Sequence, residues 1–193
     1  MSTQTLTQEE YDIIIEDARY GDLETLQEIF AEIDPSLLLQ IQDEHSKTTT
    51  LHMAAANGHL ETVKYLLSIL PREQAVQLTN FQNSEGNTPL HWAVLNGHLP
   101  IVELLCEQYE ADAFIKNKVE HDAIFEAENN GKDEIETYLL KKFDVEPVEV
   151  GDDGEIKVQV SAGTEIESAS KEQIEDSQTN EEFIQERTAK LSM

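Results

Sequence analysis

Residues 49–67 read TTLHMAAANGHLETVKYLL and residues 88–106 read TPLHWAVLNGHLPIVELLC, and the two align without a gap. Residues 122–140, DAIFEAENNGKDEIETYLL, follow the second at a spacing of 34, and a more distant copy, DIIIEDARYGDLETLQEIF, stands first at 12–30. Gly21, Gly58, Gly97 and Gly131 mark the register, 37, 39 and 34 residues apart. A repeat of this period predicts a stack of units, each burying its apolar face only against its neighbours.

Each matched residue has a physical task. Thr88 can cap a helix, and Pro89 suits the first helical turn, where its missing N–H costs nothing. Leu51 with Ala54, and Leu90 with Ala93, fall at i and i+3 and give a narrow face for close stacking. Gly58 and Gly97 end that helix in a left-handed conformation that glycine adopts cheaply. A second helix then carries Val63, Leu66 and Leu67, or Val102, Leu104 and Leu105, into the core. Thr88-Pro89-Leu90-His91 matches the T-P-L-H start of the ankyrin repeat, which the whole register resembles.

The predicted fold is therefore all-α: an ankyrin-repeat solenoid of four helix-turn-helix repeats, at about 10–43, 44–82, 83–116 and 117–143. The end units depart as caps do. Ile14 and Ile15 replace Leu and His in the first, and Asp122, Ala123, Ile124 and Phe125 fill the motif in the last. Where the period is exceeded, at 34–47 and 68–83, longer loops are expected. Residues 1–9 read as a disordered N-terminus. Residues 144–193 read as an acidic, partly disordered extension, too poor in apolar residues to order alone.

Forty Asp and Glu against 13 Lys and Arg give a formal net charge of −27 in 193 residues. The excess is not confined to the tail: residues 1–143 hold 26 acids and 9 bases, and residues 144–193 hold 14 and 4. Such a field repels phosphate backbones and anionic membranes and steers cationic partners inward. Direct nucleic-acid and membrane partners are thus disfavoured, and the chain is expected to be monomeric alone. A single cysteine, Cys106, suits a reducing compartment. The N-terminal MSTQTLTQEE resembles no signal peptide, and the expected setting is cytoplasm and nucleus without a choice between them.

The search for chemistry gives no enzyme, metal or cofactor. His52 and His91 sit in the L-H slot and His59 and His98 follow the helix-ending glycine, so the repeat explains them without zinc. Cys106 lies where the fourth repeat has Leu140, the position of a buried structural thiol rather than a nucleophile. Asp152-Asp153 lacks the alternating acids and closing Glu of a calcium loop. What remains is a binding surface. By register, the exposed side of the first helices carries Glu16, Arg19 and Tyr20; then Met53, Ala56 and Asn57; then Trp92, Leu95 and Asn96; then Glu126, Asn129 and Asn130. The preceding loop tips add Asp43, Glu44, Glu85 and Glu120. Trp92 reads either as partly buried packing or as an aromatic anchor among acids, suited to a basic amphipathic helix.

The strings LHMAAANGHLETVKYLL, NTPLHWAVLNGHL and, above all, HDAIFEAENNGKDEIETYLLKKFDVEP resemble the fungal ankyrin-repeat chaperones dedicated to the KH-domain protein of the small ribosomal subunit. The likeness spans about residues 9–147. It implies a chaperone that binds a newly made basic ribosomal protein, through the client's N-terminal helical segment, and shields its positive surface before assembly. The alternative is a regulator or inhibitor that masks the basic surface of a transcription factor.

Overall fold

The computed structural model describes residues 6–143; the expected C-terminal extension, with Asp152-Asp153, lies outside the described residues. Thr7 opens the chain's first helix with a capping box, its hydroxyl accepting from the Glu10 N–H while the Glu10 carboxylate accepts from the Thr7 N–H. Helix α1 (Gln8–Tyr20) thus starts ahead of the expected domain boundary at residue 10. It turns at Gly21 into α2 (Leu23–Glu32). The pattern recurs as α3 (Thr50–Ala56) with α4 (Leu60–Ser68), α6 (Pro89–Asn96) with α7 (Leu99–Gln108), and α8 (Ala123–Asn129) with α9 (Asp133–Lys142). Among the described residues there is no strand, only an isolated bridge between Gln42 and Thr49.

Two expected loops are instead helical. Residues Pro35–Leu39 form a 3-10 turn that buries Leu37 and Leu38, and Arg72–Thr79 form α5, which buries Ala75 and Leu78 and packs on that turn. The physical cause is apolar periodicity too short to stand alone but sufficient once a neighbour covers it. Both segments start at a proline, Pro35 and Pro71, as helices often do.

The first helices α1, α3, α6 and α8 pack in a row, each far more extensively on the next than the second helices α2, α4, α7 and α9 do. Ala54, Ala55, Ala93 and Ala127 allow this approach, all fully buried. One hydrophobic core runs through all four units, from Ile14 to Leu139. Closer packing on the first-helix side shortens that side, so the stack curves around it.

Histidines stitch the units together. His52 and His91 each close a capping box with Thr49 and Thr88. Their Nδ1 atoms accept from the threonine N–H at 3.3 and 3.2 Å. That leaves Nε2–H to donate forward, to the Asn87 carbonyl at 2.9 Å and the His121 carbonyl at 3.2 Å. His59 and His98 reach backward instead, to the Arg19 and Ala56 carbonyls at 2.9 and 3.0 Å. The preceding glycine makes room for them. A Cβ on Gly58, already at φ +81°, would come within 2.8 Å of the His98 ring. Glycine is therefore needed there for its backbone and for the next unit's imidazole.

Candidate functional site

The tips between units are built on one carboxylate or amide oxygen each. Asp43 Oδ1 accepts from the His45 and Ser46 N–H groups, Asn83 Oδ1 from Glu85 and Asn87, and Asn117 Oδ1 from Val119 and His121. The Ser46 hydroxyl and N–H hold the Asp43 carboxyl below the usual carboxylate range. Neighbouring tips then bond through the backbone, Ser84 N–H to the Ser46 carbonyl at 2.7 Å and Lys118 N–H to the Glu85 carbonyl at 2.9 Å. The three tips form a continuous rim whose outward side chains include Glu44, Glu85 and Glu120, all exposed.

The first-helix face beside this rim has an apolar middle and polar ends. Met53, Ala56, Trp92 and Leu95 are half-buried, and Glu16, Arg19 and Tyr20 are exposed on α1. Trp92 is half-buried: its ring meets the buried His52 ring edge-on at 6.1 Å and 82°, while the residue stays partly open to solvent. A seated but reachable aromatic is what an anchoring contact requires. Among the described residues Glu16 and Glu44 have no ion-pair partner, whereas Glu120 lies 3.8 Å from Lys116. Across α1 and the tips, Glu16, Asp43, Glu44, Glu85 and Glu120 outnumber Arg19, Lys47 and Lys118, which leaves an excess of negative charge beside the apolar strip.

The structure distinguishes residues that the register treated alike. Asn57, Asn96 and Asn130 are exposed, but each amide donates to a carbonyl of its own helix, of Met53, Trp92 and Glu126, at 2.8, 2.9 and 2.8 Å. They close helix ends, and their repetition after each first helix is the signal for it. Asn129 is exposed. Glu126 occupies the slot of Trp92, where an exposed side chain is expected, yet it is only 7% exposed. The third tip folds over it: His121 Nδ1 lies 3.0 Å from Glu126 Oε1, and the Asn117 and Asn130 amides donate to the carboxylate at 3.4 and 3.0 Å. Asn117 also donates to Asn87 Oδ1, joining two tips. This carboxylate organises the last junction. Asp43 is likewise spent on its own turn.

Catalytic chemistry finds no footing among the described residues, and no cluster there holds three or more metal-ligating side chains. Burial pushes the Cys106 thiol up to about 12, the reverse of an activated nucleophile. Burial also lowers His52 to about 4 and pulls His91 down, so both imidazoles are neutral structural donors. No helix among the described residues is long and apolar enough to cross a membrane.

Comparison with known proteins agrees with this geometry. The family model described as ankyrin repeats, in three copies, matches residues 14–117. The chain is 49% identical over 202 residues to the ankyrin repeat-containing protein YAR1 of Saccharomyces cerevisiae, covering all of this chain and 98% of that one. It is 55% identical, with a TM-score of 0.71, to a chain in the crystal structure of the yeast ribosomal protein Rps3 in complex with its chaperone Yar1. That match covers 74% of this chain and 99% of the other. From its repeated helix pairs to its likeness along the full length, the chain belongs to the ankyrin-repeat family.

Proposed function

We infer that this chain is a dedicated, non-enzymatic chaperone of the small-subunit ribosomal protein Rps3, binding the newly made protein before it joins a pre-ribosome. The observation that carries the reading is likeness over the whole length to a chaperone of that client. A ribosomal protein is cationic because it must later bind rRNA, and free in the cell it adheres to stray polyanions. An acidic rim beside an apolar strip competes for that same surface, steering the client in and excluding RNA until a better partner is offered. The contact residues we propose are the groove side chains Glu16, Arg19, Met53, Trp92 and Leu95 with the rim acids Glu44, Glu85 and Glu120. The work is expected in cytoplasm and nucleus. The transcription-factor reading uses the same physics, but the relatives favour the ribosomal client.

Affinity purification of the tagged chain from untreated cells tests the client. Near-stoichiometric recovery of one small-subunit ribosomal protein supports the reading; recovery of a transcription factor or an enzyme core in its place overturns it. Glu44→Lys with Glu85→Lys should then weaken the purified complex about tenfold and flatten its salt dependence, with the melting point unchanged. Asp43 is left out of that variant, because its loss would unmake a turn. Unaltered affinity would remove the rim from the interface.

A further inference from the structure

The N-terminal end of the stack differs from every internal junction. In the other three repeats, the position equivalent to Ile13 is closed off within the stack: Thr50 and Ala123 are fully buried, and Pro89 is buried too. α1 is the first described helix, and on it Ile13 is 57% exposed, beside Tyr20 at 70%. A stack end ordinarily turns polar to stay soluble. Here a large aliphatic side chain is presented instead.

One turn on, the small-residue slot that makes close stacking work is filled by Ala54, Ala93 and Ala127 in the later repeats and by Asp17 in the first. One Asp17 oxygen, Oδ2, is buried without a hydrogen-bond partner. Burial, then the nearby Asp22 and Glu16, push its carboxyl above the ordinary range. The crowding is part of a wider asymmetry. Residues 1–48 carry 12 acids against 2 bases, and the following 95 residues carry 14 against 7.

We propose that this open end docks a second helical segment of the client, bearing lysine or arginine beside an apolar side chain, in the place where a preceding repeat would stack. Its apolar residue covers Ile13, and its cation offsets the Asp17, Glu16 and Asp22 charges. The proposal rests on the chaperone reading above. Charge decides between occupants, because a second copy of a chain at −27 would bring like charge to this acidic first unit. A basic helix brings the opposite sign to the same spot. The client is then held at two surfaces, the groove and the end of the stack, which multiplies affinity without enlarging either.

The test titrates purified full-length chain with the Rps3 ribosomal protein, comparing the unaltered chain with Ile13→Lys, Asp17→Ala and the groove variant Trp92→Ala. Ile13→Lys should weaken binding about tenfold or more, and Asp17→Ala should weaken it severalfold. Asp17→Ala should also raise the melting temperature by a few degrees, since it restores the alanine of the other junctions. Gain of stability with loss of binding is not what a merely structural residue would give. If both end variants bind as the unaltered chain does while Trp92→Ala loses affinity, the end is not a docking site and the chaperone reading stands. If the unaltered chain fails to bind, the reading falls and the proposal with it. Self-association of the unaltered chain that Ile13→Lys abolishes would make the end a contact between copies and overturn the proposal.

Discussion

Lowering the pH should destabilise this domain through its buried histidines, and His52 allows the size to be worked out. Its imidazole sits at about 4 in the fold against 6.5 when free. The cause is burial, and the geometry agrees: Nδ1 already accepts from Thr49, so a second ring proton would face a donor. The unfolded chain therefore binds more protons between those two values, and stability falls as the pH falls through that window while remaining intact above 6.5. From about pH 8 to about pH 5 the loss from this one residue is on the order of 2 kcal/mol. The solvent effect on the carboxylates runs the other way, since easing a net charge of −27 relieves self-repulsion. A comparison with His52→Gln cancels that shared contribution. Urea unfolding followed by the fluorescence of Trp92, the chain's single tryptophan and a direct neighbour of His52, gives the midpoint at each pH. Wild type should be the more stable at about pH 8, with its advantage shrinking by on the order of 2 kcal/mol at about pH 5. An advantage of equal size at both values would refute the claim that His52 is held neutral by the fold.

Gly86→Ala should cost about 2–3 kcal/mol in the same denaturation assay, because φ is +80° and the new Cβ would lie 2.9 Å from the Asn117 Cα. Glu120 holds a similar left-handed conformation at φ 62°, so Glu120→Gly should gain about 0.5–1 kcal/mol at the equivalent tip position. Glu126→Ala should lose about 2–3 kcal/mol, since it strands the Asn117, His121 and Asn130 donors; thermal melting reads the loss, and an unchanged midpoint would show that water replaces the carboxylate.

The fold was legible wherever the repeat carries its own punctuation. Thr49, Thr88, Gly58 and Gly97 act locally, through caps and turns that require no distant partner, and the helices fall where those residues put them. Legibility failed where the deciding partner is remote in sequence. The segments 35–39 and 72–79 pack on each other, a pairing of residues far apart in the chain. Register gives Glu126 the same angle around α8 as Trp92 has around α6, but whether the third tip closes over it depends on Asn117 and His121. Asn57, Asn96 and Asn130 were readable in principle. An amide recurring at the end of each first helix is a capping signal, and their recurrence looks the same as that of a binding position. Ile13 was hidden for a different reason, since its exposure depends on what packs against α1 and not on its place in the repeat.

The histidine stitches are unevenly distributed, and this sets where the domain is stiff. The junction between the second and third units has two, His52 forward and His98 backward. The first junction has only His59, because Ile15 fills the forward slot, and the last has only His91, because Lys132 replaces the backward histidine. Amide hydrogens around α3 and α6 should exchange slowest, and those of the end units faster. A rigid middle flanked by two more compliant arms behaves like a pair of tongs with a fixed hinge. The outer units can yield as a client enters while Trp92, at the centre, keeps its seat.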